Sequence, residues 1–323
     1  MLSLVIPVYK NEENLDRLMG ELVKLAGGFP GQLEVVFVID GSPDACYEIL
    51  RQRLPRLPMR AQLISLTRNF GSFSAIAAGL AHGGGDYFAA LAADLQEPPE
   101  LVLEFYRQMH AGAADIVFGC RAGRGDPWSS RLSAGVFWFL YRRFVVHDMP
   151  AGGVDVFGCT RRVRDELLRL HEANTNLIAL LLWLGFRRSF VPYRRNKRAE
   201  GRSAWTLRKK LRYALDSIFT FTDLPLRLLL ITGLTGTLLS ALVSSIVLIA
   251  RALGGVSVPG YALIVLAICF FGGLTTFALG VLGQYLWLTL QNARGRPNFL
   301  VASRESFHSC EREVRGDLTL IDG

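Results

Sequence analysis

Short apolar runs alternate with helix-spaced segments through the first 120 residues. The runs "LSLVIPV" (2–8), "LEVVFVI" (33–39), "AQLISL" (61–66), "DYFAALAA" (86–93) and "ADIVFG" (114–119) read as strands, and residues 11–26, 44–54, 71–82 and 98–111 carry helical spacing. Runs that are apolar on both faces suit strands buried between two helical layers. The pattern therefore predicts an α/β domain with a Rossmann-like, mixed but mostly parallel sheet and helices on both faces.

A different pattern takes over near the end. Residues 228–250 form 23 positions without a charge, and residues 252–293 form 42 more, broken only by "GGVSVPG" at the front. A bilayer core needs about 20 apolar residues per helix. Two transmembrane helices are expected at residues 227–250 and 261–288, joined by a short turn. A buried helical hairpin is the competing reading, but uninterrupted apolar runs above about 18 residues seldom serve that purpose.

Composition agrees: half of the 323 residues are hydrophobic, and the mean hydropathy is +0.28. Charge refines the picture. Between Arg187 and Arg212 there are eleven Lys or Arg and one acid, Glu200, so this segment carries +10 against +8 for the whole chain. The basic balance thus describes one juxtamembrane patch and not the α/β body. Its place beside an apolar helix favours anionic lipid over nucleic acid. Arg294, Arg296 and Arg304 follow the second apolar run, and Arg251 alone lies in the turn between the two. The positive-inside rule then puts both termini in the cytoplasm of a multi-pass inner-membrane protein. The N-terminal "MLSLVIPVYKNEEN" has no cleavable signal pattern. The cysteines at 46, 120, 159, 269 and 310 show no paired spacing, which predicts reduced thiols.

Ligands of open parallel sheets sit beyond the carboxyl ends of the strands. Polar residues collect there: Tyr9 to Glu12, Asp40 to Ser42, Arg68 and Asn69, Asp94 to Gln96, and Arg121. No G-x-G-x-x-G follows the first strand, which argues against NAD or FAD.

The stretches "VIPVYKNEENL", "FVIDGSPD", "LTRNFGSFSAIAAGL" and "LAADLQEPPE", in that order, resemble the family 2 glycosyltransferases with their A-type nucleotide-sugar fold. The resemblance continues through "GGVDVFGCTRRV", "WLGFRRSFVPYRRNKRAEGRSAW" and "GVLGQYLW". It is similar to the polyprenyl-phosphate branch, which includes bactoprenol glucosyltransferases and dolichol-phosphate mannose synthase. It implies a cytoplasmic transferase domain over 1–200, an amphipathic interfacial region over 201–225, two membrane helices within 226–290 and a cytoplasmic tail over 291–323.

The same resemblance assigns Pro7, Tyr9, Glu12, Asp40, Ser42, Arg68 and Asn69 to the nucleotide sugar, a UDP-sugar before a GDP-sugar. It assigns Asp94 and Gln96 to Mg²⁺ or Mn²⁺, and catalysis to Asp94, Asp155 and Arg121. Phosphate calls for clustered cations, and on that ground Arg124, Arg131, Arg195, Arg198 and Arg202, with Ser203, are the candidates for the acceptor phosphate and lipid, a solvated surface being the competing reading for each arginine singly. The chain departs from the family at Ile39 and Ala92, where acids are usual, and at Ala204, where a basic residue is usual. One carboxylate, one amide oxygen, phosphate oxygens and waters still complete an octahedron, so metal binding is expected chiefly with the donor present. Turn formation and helix capping are the competing roles for Asp40, Asp94 and Gln96.

The implied reaction is inverting transfer of the sugar to a polyprenyl phosphate for cell-envelope glycan modification. A lipid monophosphate is already anionic at neutral pH, so Asp155 need not be a strong base. A processive polysaccharide synthase would bring more helices and a Q-x-x-R-W, which is absent. A catalytically impaired paralogue acting as a nucleotide- or lipid-binding scaffold is the alternative from another class. Glycine-rich "GLTGT" and "FFGGL" favour close helix packing and allow a homo-oligomer.

Overall fold

The computed structural model describes residues 1–29, 32–121, 154–170, 177–196, 224–253 and 261–308. In chain order the elements are β1 (Leu2–Val8), a 3-10 turn (Glu12–Asn14), α1 (Leu15–Ala26), β2 (Leu33–Ile39), α2 (Cys46–Arg53), β3 (Arg60–Leu66) and α3 (Ser72–His82). Then come β4 (Tyr87–Ala90), α4 (Leu101–His110), β5 (Ile116–Arg121), β6 (Val154–Thr160), α5 (Arg161–Arg169), α6 (Leu177–Trp183) and β7 (Arg188–Tyr193). Two long helices, α7 (Leu224–Ala252) and α8 (Tyr261–Ala293), and a last strand, β8 (Val301–Phe307), complete the described chain.

One sheet runs in the order β7-β5-β6-β4-β1-β2-β3-β8. β1 pairs in parallel with β2 and β4, β2 with β3, and β5 with β7, while β6 is antiparallel to both β4 and β5. This is the mixed, mostly parallel sheet that the apolar runs predict. Leu2, Leu4, Ile6 and Val8 point to the α1, α2 and α4 side, whereas Val5, Val36 and Val38 point to the α3, α5 and α6 side. Each such side chain fully buried contributes about 1.5–3 kcal/mol. α3 lies close on the sheet because Gly79 carries no side chain: a Cβ there would sit 2.2 Å from Val5 Cγ1.

The β4 strand is shorter than its apolar run, ending at Ala90, because residues 91–97 leave the sheet as an extended turn. Its end explains a proline in a central strand. The Val5 carbonyl accepts from the Leu91 amide, so Pro7, two residues on, also directs its main chain toward β4, beyond the last paired residue. No ladder hydrogen bond is lost there.

The largest departure from the sequence expectation is β8. Residues expected to be a tail form the edge strand beside β3, antiparallel from Ala61↔Phe307 to Leu66↔Val301. Within α8, Phe270–Ala293 is a 24-residue segment long and apolar enough to cross a membrane. Large apolar side chains on both long helices are exposed, including Leu230, Leu234, Ile268 and Leu286. The Thr232, Thr235, Thr275, Thr276 and Thr289 hydroxyls each donate to a carbonyl four residues back, which satisfies them within the helix.

Among the described glycines, Gly41 is the one whose added Cβ would come nearest to other backbone. Its φ is +57°, and a Cβ would lie 2.3 Å from the Arg68 carbonyl carbon and 2.4 Å from the Asn69 nitrogen. Gly41→Ala is expected to cost at least about 2 kcal/mol and to lower the thermal midpoint measurably. An unchanged midpoint in a melting series would show that the turn yields freely.

Candidate active site

Every described site residue of the sequence analysis lies at the carboxyl edge of the sheet. The strand order reverses between β1, which runs on to β2 and β3, and β4, which adds on the other side of β1, and a crevice for ligands is expected at such a point. Pro7 and Tyr9 stand on one side of it, and the 91–97 turn stands on the other.

On the β1–β2 side, the polar groups knit two turns together. The Lys10 amide donates to Ser42 Oγ at 2.7 Å, and Ser42 donates to Asp44. The Ala45 amide donates to Glu12 Oε2 at 3.0 Å, which caps the start of α2. Burial alone would raise the Asp44 carboxyl, but hydrogen bonds from Ser42, Cys46 and nearby amides outweigh it and hold the group below its ordinary value. A cleft of roughly 290 Å³ is lined by Lys10, Glu12, Glu13, Pro43 and Asp44. Tyr9 is exposed beside it, with the Lys10 ammonium 5.6 Å from its ring centre.

Asp40 is only 3% exposed. Its carboxylate accepts from the Phe70 amide at 2.7 Å and the Gly71 amide at 2.9 Å, while Asn69 Nδ2 donates to its carbonyl. Burial raises the carboxyl above its ordinary value, against the pull of those amides and of Arg68. Asp40 therefore spends its side chain on fastening the β3–α3 loop to the β2 turn, a role the sequence does not disclose. Arg68 remains exposed and lies over the Phe70 ring at 4.1 Å.

After β4 the chain zigzags. Ala92, Asp94 and Gln96 fall on the half-buried side, and Ala93, Leu95 and Glu97 on the buried side. The two predicted metal-ligating residues thus share a face, with Ala92 beside them where an acid is missing. Leu95 is buried with φ +53°, a conformation that costs on the order of 1–3 kcal/mol in a non-glycine residue and needs the surrounding packing to impose it. Asp94 and Gln96 carry hard oxygens of the kind Mg²⁺ or Mn²⁺ takes, but here Asp94 Oδ1 accepts from the Gln96 amide at 3.3 Å and Gln96 Oε1 accepts from Arg195, so a cation would take the amide oxygen only in exchange for that guanidinium. Among the described residues no group of three or more His, Cys, Asp or Glu stands ready to hold a metal by itself.

Two arginines organise the far side. Arg121 donates through Nε and Nη2 to the Asp155 carboxylate as a fork, and Tyr193 Oη donates to Asp155 Oδ2 at 2.7 Å. Burial disfavours the Arg121 charge, yet Asp155 outweighs it and holds the guanidinium above its ordinary value. Burial and the Asp155 charge push the Tyr193 phenol far above its ordinary value, so it remains a donor. Arg195 donates to Gln96 Oε1 at 2.6 Å and sits 3.4 Å from Glu97 Oε1, and the Asn196 amide donates to the Gln96 carbonyl. Arg124, Arg131, Arg198, Arg202 and Ser203, with the expected interfacial helix, lie outside the described residues.

Sequence reasoning missed Glu97 and Tyr193. Glu97 is 2% exposed, and its Oε2 has no hydrogen-bond partner among the described residues. Burial pushes its carboxyl up to about 7, with Arg195 lowering it and Asp155 and Asp94 raising it. The only sequence signal was an acid between a polar turn and "PPE".

Residues 3–207 match the family described as glycosyl transferase family 2. The chain is 33% identical over 309 residues to an uncharacterized glycosyltransferase of Synechocystis sp., covering 93% of this chain and 94% of that one. It is 31% identical over 300 residues to the uncharacterized glycosyltransferase YkcC of Bacillus subtilis, with 93% and 92% covered. It is also 31% identical over 305 residues to the bactoprenol glucosyl transferase of Shigella phage SfX, with 94% and 99% covered.

Glu97 makes stability pH-dependent. A carboxyl raised from 4.5 to about 7 contributes stability that is fully present below pH 4.5 and is lost as pH rises through 7. In chelator-containing buffer, Glu97→Gln is expected to remove most of that slope and to gain on the order of 3 kcal/mol relative to the parent at pH 8. Parallel melting curves of the two proteins across pH 4.5 to 8 would contradict the assignment.

Proposed function

The chain belongs to glycosyl transferase family 2 and is a glycosyltransferase; from that premise we propose that it moves a sugar from a nucleotide sugar, UDP before GDP, to a polyprenyl phosphate with inversion at the anomeric carbon. One observation carries the lipid acceptor. Both connections between the sheet and the two long helices leave from the edge that holds the site. The first departs after Tyr193 and Asn196, and the second arrives through Leu300 beside the carboxyl end of β3. The site edge is thereby the edge tied to the apolar helices.

The sheet holds residues on both sides of those helices, so a chain leaving it after Asn196 and returning at Leu300 crosses a bilayer an even number of times. Since Phe270–Ala293 has membrane-crossing length and composition, α7 is the natural second span. Both termini then share the cytoplasmic side of the inner membrane.

In this reading Tyr9, with Pro7 behind it, offers an aromatic face beside the cleft for the base, and Glu12, Ser42, Arg68 and Asn69 shape the nucleotide end. Asp40 orders their loops. Asp94 and Gln96 would hold a divalent cation, which when bound neutralises the departing diphosphate. Arg121, kept charged and aimed by Asp155 and Tyr193, faces the developing or arriving phosphate charge. A phosphate monoester has its second pKa near 6, so the acceptor oxygen attacks without a strong base. Asp155, already engaged by Arg121 and Tyr193, orients rather than abstracts. Arg195, with Arg124, Arg131, Arg198, Arg202 and Ser203, receives the acceptor phosphate and its lipid.

The second reading, a binding scaffold, draws on Ala92 and on Glu12, Ser42 and Asp40 being engaged with the protein's own main chain. Transfer of label from a panel of UDP- and GDP-sugars to undecaprenyl phosphate by the detergent-purified protein separates the two. The transferase reading expects one preferred donor and a loss of at least about a hundredfold in Asp94→Ala. Nucleotide binding without transfer from any donor would move the assignment to the scaffold.

A further inference from the structure

The last described strand and the residues just before it touch β3, the loop that follows it, α2 and α3, three of which lead into or out of the donor turns, although none of these residues lies in the site itself. The Leu300 carbonyl accepts from the Thr67 amide at 3.0 Å, one residue before Arg68, and the pairing of β8 with β3 shifts register at that end. The backbone of Arg68 and Asn69 closes on Gly41, and the next two amides bind the Asp40 carboxylate. Glu305 accepts from Tyr47 Oη at 2.6 Å and from Arg51 Nε at 3.1 Å, and both donors stand on α2, the helix that leaves the Asp40–Asp44 turn. These bonds hold the Glu305 carboxyl below its ordinary value. Phe299 meets His82 of α3 edge-on at 6.5 Å, and Arg304 Nε donates to Gln62 of β3 at 3.0 Å.

Seven residues separate Ala293 at the end of α8 from Val301. They span at most about 25 Å. The strand is thus delivered to the donor turns by the apolar helix over a short tether.

We infer that β8 is a positioning element of the donor site: Leu300 and Glu305 hold the Thr67–Gly71 loop and α2 against the Gly41 turn, so affinity for the nucleoside diphosphate depends on a strand supplied by the end of the chain. Removing it leaves an exposed β3 edge and a loop with one main-chain anchor fewer. The local free energy for ordering that loop is then taken from donor binding. The acceptor side, built on β5, β6 and β7 at the opposite end of the sheet, is unaffected. This rests on the nucleotide-sugar reading above.

The test uses the detergent-purified full chain, a Glu305→Ala variant and a chain ending at Pro297. UDP affinity is measured by calorimetry, and initial rates are measured over donor and acceptor concentrations. The shortened chain is expected to show donor KM and UDP Kd raised about tenfold, with acceptor KM and kcat at saturating donor within about twofold. A synthetic peptide of residues 298–308 restores the donor KM. Glu305→Ala shows a smaller rise of the same kind, and it decides the matter if the shortened chain does not fold. Unchanged donor KM and UDP Kd, or a fall in kcat and thermal midpoint with donor KM unchanged, would overturn the inference. Failure of the unaltered chain to bind UDP would instead overturn the donor reading.

Discussion

The parallel pairing of β1 with β2 on one side and β4 on the other is the constraint from which the site follows. It sets Val8 beside Ile39, with Leu66 one residue beyond that level and Ala90 ending opposite Val5, so that four turns leave the same edge of the sheet. The early end of β4 leaves Pro7 without a partner to miss, and the crevice opens at that point. Nothing in the individual turns would assemble a donor site if one strand of this group were reversed. The buried valines and leucines that fix the register are therefore as much a part of the site as its carboxylates.

Within that frame the charges are largely satisfied by one another. Asp155 is shared by Arg121 and Tyr193, and Arg195 spans Gln96 and Glu97. β7 supplies both Tyr193 and, just beyond its end, Arg195, so an edge strand holds the turn that carries Asp94 and the fork that carries Arg121. Glu97 and Tyr193 are the buried members, and leaving either unpaired costs desolvation, whereas Asp155, Arg121 and Arg195 are partly exposed. Among the described residues, Glu97, with one oxygen unpartnered, is where that satisfaction is incomplete.

Much of the fold was legible because its strands are apolar on both faces. Residues 2–8 and 33–39 matched to the residue, and α3 began one position after its expected start. β4 was overestimated because "LAA" is apolar without being paired. β8 was invisible for the opposite reason: "VASRESF" alternates half-buried and exposed positions along an edge, too polar for an apolar-run criterion. Among site residues, the Gln96 amide meets Asp94 and Arg121 meets Asp155 at the same edge of the sheet. Tyr193 and Glu97 act through partners distant in sequence, a relation that no local motif encodes.

In the proposed reading Asp94 and Gln96 would form half of a cation site that the nucleoside diphosphate completes, with Ala92 on the same half-buried side and Arg195 giving up the Gln96 amide oxygen. Titration of Mn²⁺ followed by electron paramagnetic resonance, with and without UDP, tests it directly. Weak Mn²⁺ binding by the protein alone, much tighter binding with UDP, phosphorus hyperfine coupling to the bound ion, and loss of the UDP-dependent gain in Asp94→Asn are expected. Equal Mn²⁺ affinity with and without UDP, or a UDP-dependent gain untouched by Asp94→Asn, would contradict it.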